Sequence, residues 1–76
     1  MRLYIGSYFA FFISEKRHWV KIELDQPISL KDILSALGIP EAEVHLVVIN
    51  DRLSETTDLL VSNEDIVRLY PPVNGG

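Results

Sequence analysis

Apolar residues fall in blocks separated by short polar stretches, and their spacing changes from block to block. Leu3, Tyr4, Ile5, Tyr8, Phe9, Phe11, Phe12 and Ile13 crowd the first block. Aromatic and β-branched residues at this density predict a strand buried on much of its surface. Gly6 and Ser7 interrupt it, and a bulge there would shift the alternation of faces by one residue. Polar Ser14 to His18 then form a turn, and Trp19 to Leu24 return as a second strand. Lys21 and Glu23 alternate in it with Val20, Ile22 and Leu24, the period of a strand with one face in water. A β-hairpin is therefore expected at the start of the chain.

Asp25, Gln26 and Pro27 break that strand. Ser29 suits a helix N-cap and Asp32, three residues on, a capping-box partner at the positive end of the helix dipole. Leu30, Ile33, Leu34 and Leu37 fall at i, i+3, i+4 and i+7, a single apolar stripe. Gly38 supplies a left-handed stop and Pro40 prevents continuation. Val44 to Ile49 reads as a third strand, and Asn50-Asp51 as a tight turn that tolerates positive φ. Arg52 to Thr57 begins as a short edge strand. Leu59, Leu60 and Val61 make an apolar patch under that loop, and Ile66 to Tyr70 is the last strand, ended by Pro71 and Pro72.

Two strands, a helix and two or three more strands make an α+β arrangement with one main helix across one face of a mixed four- to five-stranded sheet. The β-grasp (ubiquitin-like) fold closes that order with the last strand beside the first, both central and parallel. Residues 1–70 are expected to form this domain, and residues 71–76 an extended, flexible C-terminal tail ending in Gly-Gly.

The chain has 76 residues, enough for one small domain and too few for a two-domain enzyme. A fold of this size buries about 60% of its unfolded surface, which leaves little for a deep catalytic cavity. Without cysteine there is no disulfide, thiolate metal site or cysteine nucleophile. Seven basic against eleven acidic side chains give a net charge of -4, which disfavours nucleic acid and anionic membranes and favours protein partners. Arg2 and the apolar run after it superficially resemble a secretory signal. The run from Leu3 to Ile13 is too short to span a bilayer and no small-residue cleavage site follows, so a cytoplasmic protein is expected.

His18 and His45 have no ligand at metal-binding spacing, so no metal site is expected. Ser29 reads as a cap rather than a nucleophile, and no glycine-rich phosphate loop is present. The tail Pro71-Pro72-Val73-Asn74-Gly75-Gly76 is more distinctive. Its prolines direct the chain away from the sheet, and its two glycines would thread a channel too narrow for a Cβ and present a terminal carboxylate.

Tyr8-Phe9-Ala10, Val48-Ile49-Asn50 and Val67-Arg68-Leu69-Tyr70-Pro71-Pro72-Val73-Asn74-Gly75-Gly76 resemble the MoaD/ThiS family of ubiquitin-like sulfur carriers along the whole chain. The tail is closest to the small subunit of molybdopterin synthase. Two departures stand out. Asn63-Glu64-Asp65 takes the place of the usual glycine and acid before the last strand, with Asn63 as the next best residue for a left-handed position. Phe11-Phe12-Ile13 replaces a polar, arginine-rich segment.

The resemblance implies a carrier and co-substrate, not an enzyme, although it would serve as the small subunit of a synthase complex. Gly76 would be adenylated and then thiocarboxylated, with Pro71, Pro72, Val73, Asn74 and Gly75 threading into the partner. No cofactor is expected on this chain, since ATP and magnesium belong to the activating enzyme. The implied partners are an E1-like adenylyltransferase, a sulfur donor such as a cysteine desulfurase or rhodanese, and an acceptor such as a molybdopterin synthase large subunit. A modifier conjugated to lysines and an inert interaction module are the alternatives. If Val67 and Leu69 face the helix, Ile66, Arg68 and Tyr70 form a row beside the tail, rich in residue types that dominate interface energy.

Overall fold

The computed structural model describes residues 1–13 and 16–72. Seven strands and two α-helices occur among them: β1 (Arg2–Tyr4), α1 (Gly6–Phe12), β2 (Trp19–Lys21), β3 (Ile28–Ser29), α2 (Leu30–Leu37), β4 (Leu46–Ile49), β5 (Arg52–Ser54), β6 (Leu60–Val61) and β7 (Ile66–Tyr70). A 3-10 turn at Glu41–Glu43 precedes β4. The main sheet has the order β2-β1-β7-β4-β5, and β3 pairs with β6 in a separate ribbon. β1 and β7 are parallel and adjacent at its centre, with Leu3 in register with Val67. The expected β-grasp architecture is the one observed.

The apolar stripe of α2 packs on this sheet. Leu30, Ile33 and Leu34 are buried with Leu3, Val47, Val67 and Leu69 in one cluster. Gly38 ends the helix at φ 84°, a value that favours glycine. Asn50 and Asp51 both take positive φ in the turn between β4 and β5, as expected.

Three expectations for the first block are corrected. The run from Leu3 to Ile13 is not one strand and the first hairpin is not continuous: β1 stops at Tyr4 and α1 follows. Gly6, at φ 65°, turns the chain out of the strand, where a bulge was expected. Phe9 and Ala10 are then buried on one helix side while Phe11 is 85% exposed, and no alternating strand would separate Phe9 from Phe11 in this way. Aromatic content favoured a strand locally, and packing of Phe9 and Ala10 into the core overrode it. The sheet is therefore joined by two helices rather than one.

Ser29 occupies the N-cap of α2 but makes no side-chain capping bond. The first amides find backbone partners instead: Leu30 N donates to Leu59 O at 2.8 Å and Lys31 N to Thr57 O at 3.1 Å. The β3–β6 ribbon brings those carbonyls to the helix, and a satisfied amide needs no hydroxyl. Asn63 does not take positive φ. Its Oδ1 accepts hydrogen bonds from Leu24 N at 2.8 Å and Met1 N at 3.3 Å, which ties the loop before β7 to the chain that follows β2 and to the residue that precedes β1.

No helix among the described residues is long and apolar enough to cross a membrane. The helical assignment of α1 is testable by truncation. Phe9→Ala should lower stability by about 3–5 kcal/mol, the usual cost of emptying a buried aromatic site. Phe11→Ala should stay within about 0.5 kcal/mol. Urea denaturation of both variants measures the difference, and equal losses would contradict the helix.

Candidate functional site: the open sheet face and the tail exit

Side chains of β7 alternate. Val67 and Leu69 enter the core, and Ile66, Arg68 and Tyr70 lie on the opposite, uncovered face, as the sequence pattern indicated. Strand register extends this row across the sheet. Arg68 stands opposite Tyr4 of β1 and Val48 of β4, Tyr4 opposite Trp19 of β2, and Val48 opposite Leu53 of β5. An aromatic and apolar band with one guanidinium at its centre results.

Contacts between these side chains hold the band together. The Tyr4 and Trp19 rings meet edge to face with centroids 5.2 Å apart, and Tyr4 and Tyr70 are 6.3 Å apart. Arg68 places Cζ 5.8 Å from the centre of the Trp19 ring. A guanidinium at this distance is attracted by the ring's negative face, worth about 0.5–1 kcal/mol at an exposed site. These four residues line a shallow hollow of about 190 Å³, and among the described residues Arg68 is the only charged one lining it. Farther along the same face, Arg2 and Lys21 share a hollow of about 460 Å³ with Glu23, Glu64 and Asp65, so their charge is locally offset.

The tail leaves at the other end. A second hollow of about 190 Å³ is lined by Tyr4, Gly6, Tyr8, Tyr70 and Pro71 among others, where the start of α1 meets the end of β7. Pro71 is half-buried there and Pro72 is exposed. Val73, Asn74, Gly75 and Gly76, including the proposed reactive carboxylate, lie outside the described residues. The tail's chemistry therefore rests on its sequence, and its point of departure rests on the fold.

α1 carries an exposed aromatic surface, of which Tyr8 reaches this exit. Tyr8, Phe11 and Phe12 are all exposed, with Tyr8 and Phe12 in edge-to-face contact at 5.5 Å. The Tyr8 hydroxyl donates to Glu43 Oε2 at 2.9 Å. That hydrogen bond is the main reason the phenol is raised above its ordinary value, with desolvation and the carboxylate's charge adding to it. His18 and His45 are both exposed. Among the described residues no group of three or more His, Asp or Glu side chains is placed to hold a metal ion.

The sequence reading found Ile66, Arg68 and Tyr70 but missed Tyr4 and Trp19 as their neighbours. Trp19 shares the parity of Lys21 and Glu23 in an alternating strand, which already marked it as open-face. Tyr4 needed the strand register. The α1 surface was missed because Phe9, Phe12 and Ile13, spaced i, i+3 and i+4, were hidden within a wholly apolar run.

A comparison with protein families matches residues 7–75 to the family described as Mut7-C ubiquitin. No curated protein matches the chain. The match makes the chain ubiquitin-like, in agreement with the sheet order; it does not single out the MoaD/ThiS branch.

The Tyr8–Glu43 contact favours the protonated phenol. Its contribution is present below the ordinary tyrosine value of about 10 and is lost as pH rises through the raised one. In an ultraviolet titration, Glu43→Ala should move one phenol midpoint down toward the ordinary value; an unchanged titration would show that the contact does not form in solution.

Proposed function

Because the chain belongs to the Mut7-C ubiquitin family, whose match runs from residue 7 into the Gly-Gly tail, we propose that it is a sulfur carrier activated at Gly76. The observation that carries this reading is the continuity of central strand β7 with Pro71-Pro72-Val73-Asn74-Gly75-Gly76. A strand fixed on both sides gives the tail a rigid origin. Two prolines then stiffen its first steps, and two glycines leave its last steps free of side chains.

In the proposed reaction the Gly76 carboxylate oxygen attacks the α-phosphorus of ATP, and the bond to pyrophosphate breaks. The resulting acyl-adenylate has AMP as its leaving group, where the free carboxylate would have to expel oxide. A sulfide equivalent attacks the acyl carbon, the bond to AMP breaks, and a thiocarboxylate remains on Gly76. The activating enzyme supplies magnesium and the cationic clamp for the phosphoryl charge. The thiocarboxylate then donates sulfur in cofactor biosynthesis, with molybdopterin-type synthesis favoured by the form of the tail.

The open face is the proposed holding surface for the activating enzyme. Tyr4, Trp19, Arg68 and Tyr70 are of the types that dominate interface energies, and their hollow adjoins the exit at Tyr70. A partner gripping this face would receive the tail without a further rearrangement of the sheet.

Intact mass spectrometry of the chain, incubated with ATP, a sulfur source and the cognate activating enzyme, tests the reaction. The expected change is the replacement of one oxygen by sulfur at a free Gly76 carboxylate. Adducts on other proteins would indicate a lysine modifier instead, and no change in either assay would leave an interaction module. Deletion of Gly76 must abolish the modification. Arg68→Glu should slow adenylation by about thirtyfold or more, the loss of one central interface residue, without unfolding the domain. Unchanged adenylation kinetics would remove the row from the interface.

A further inference from the structure

β2 is an edge of the main sheet, and its outer side is unpaired among the described residues. Ile22 exchanges two backbone hydrogen bonds with Met1, at 2.8 and 2.7 Å, and His18 O accepts from Ile5 N at 2.8 Å. Val20, in register with Leu3, lies between them. The even-numbered residues therefore turn their backbone groups toward β1 and Trp19 and Lys21 turn theirs outward, an alternation that Glu23 continues past the end of β2. No hydrogen bond among the described residues reaches those outward groups.

The same edge borders an apolar groove. Between the end of β2 and α2 lies a hollow of about 360 Å³ lined by Ile22, Leu24, Ile28, Ile33, Ala36 and Leu37, with Asp32 at its margin. An unpaired strand beside an apolar groove is the arrangement that accepts one more strand, with backbone bonds along the edge and alternate side chains in the groove.

Charge selects which strand. An added antiparallel strand forms hydrogen-bonded pairs opposite Lys21 and Glu23, so it needs an acid facing Lys21 and a base facing Glu23. Between them it needs an apolar residue facing Ile22. Read from its own N-terminus, that segment is base, apolar, acid, and Lys21-Ile22-Glu23 has this order itself. We propose that β2 and its continuation through Leu24 pair antiparallel with the same segment of a second copy of this chain, about a two-fold axis at Ile22.

In this register Lys21 of each copy faces Glu23 of the other on the open face, and Ile22 faces its own counterpart on the groove side. Val20 faces Leu24, so the two apolar grooves join across the axis. Shifting the register by two residues in either direction sets Lys21 against Lys21 or Glu23 against Glu23, which like-charge repulsion disfavours. Within one copy Lys21 Nζ and Glu23 Oε1 are 3.7 Å apart, with side chains 78% and 76% exposed. A contact so exposed is worth little and is readily exchanged for a cross-strand pair. The other sheet edge, β5, borders no comparable groove among the hollows described.

Sedimentation equilibrium of the full chain tests the proposal, at concentrations up to about 1 mM because a single strand edge falls at the small end of specific interfaces. The chain should show a monomer–dimer equilibrium. Lys21→Glu and Glu23→Lys should each weaken self-association by about tenfold or more, since each turns both cross-strand pairs repulsive. Mixed together, the two variants should associate with one another, and the double exchange K21E/E23K should restore the parent affinity. Circular dichroism checks that the exposed substitutions leave the fold intact, and the double exchange keeps the test decisive if a single variant does not fold. A parent chain monomeric throughout, single variants that dimerise like the parent, or a mixture that fails to associate would each overturn it.

Discussion

The parallel pairing of β1 with β7 joins residues near opposite ends of the chain, and the other elements take their places from it. Leu3 and Val67 lie in register at its centre, both wholly buried, with Leu69 alongside. A parallel pair cannot be closed by a tight turn, so the intervening chain has to cross over, and α2 is the helix that covers the crossover face. Leu30, Ile33 and Leu34 bury that face and leave Arg68, Tyr4 and Trp19 uncovered on the reverse. The same pairing that builds the core therefore creates the open aromatic face. It also fixes β7, and with it the origin of the tail, in the middle of the sheet rather than at an edge.

The first helix shows how a small fold spends a dense apolar run. With few core residues available, the burial of Phe9 and Ala10 matters to the whole domain. Seating them requires a turn of chain after β1, and Gly6 permits it at φ 65°. The consequence reaches the surface, because the opposite side of α1 must then carry Tyr8, Phe11 and Phe12 into solvent. Tyr8 stands beside the exit of the tail, so core packing at the N-terminal end shapes the surroundings of the C-terminal one.

Composition alone describes an acidic protein, with seven basic against eleven acidic side chains. The folded surface is more differentiated. Among the described residues Arg68 is the only charge lining the aromatic hollow, while Lys21 and Glu23 alternate with a groove-facing isoleucine along an open edge. The two surfaces share β2 but use different parts of it: the hollow uses the Trp19 side chain, and the edge uses outward backbone groups. A ubiquitin-like sheet therefore offers both a face and an edge.

Much of the fold was legible in the sequence because local physics favoured it. The period of Leu30, Ile33, Leu34 and Leu37, the stop at Gly38, the turn at Asn50-Asp51 and the proline end of β7 all involve residues close in the chain, and each formed as expected. The row of Ile66, Arg68 and Tyr70 was legible for the same reason, since alternation follows from strand geometry alone. The segment from Gly6 to Phe12 was not, because aromatic residues suit strands locally and only burial of Phe9 and Ala10 selected the helix. Nor was the cap of α2, where carbonyls of Thr57 and Leu59, distant in sequence, did what Ser29 was expected to do. The sequence by itself determined the order of β1, β2, α2, β4 and β7 and the residues of the tail. Tertiary structure decided that Tyr4, Trp19 and Arg68 meet and which strand edge stays unpaired, because register between strands is set by long-range packing that no local pattern encodes.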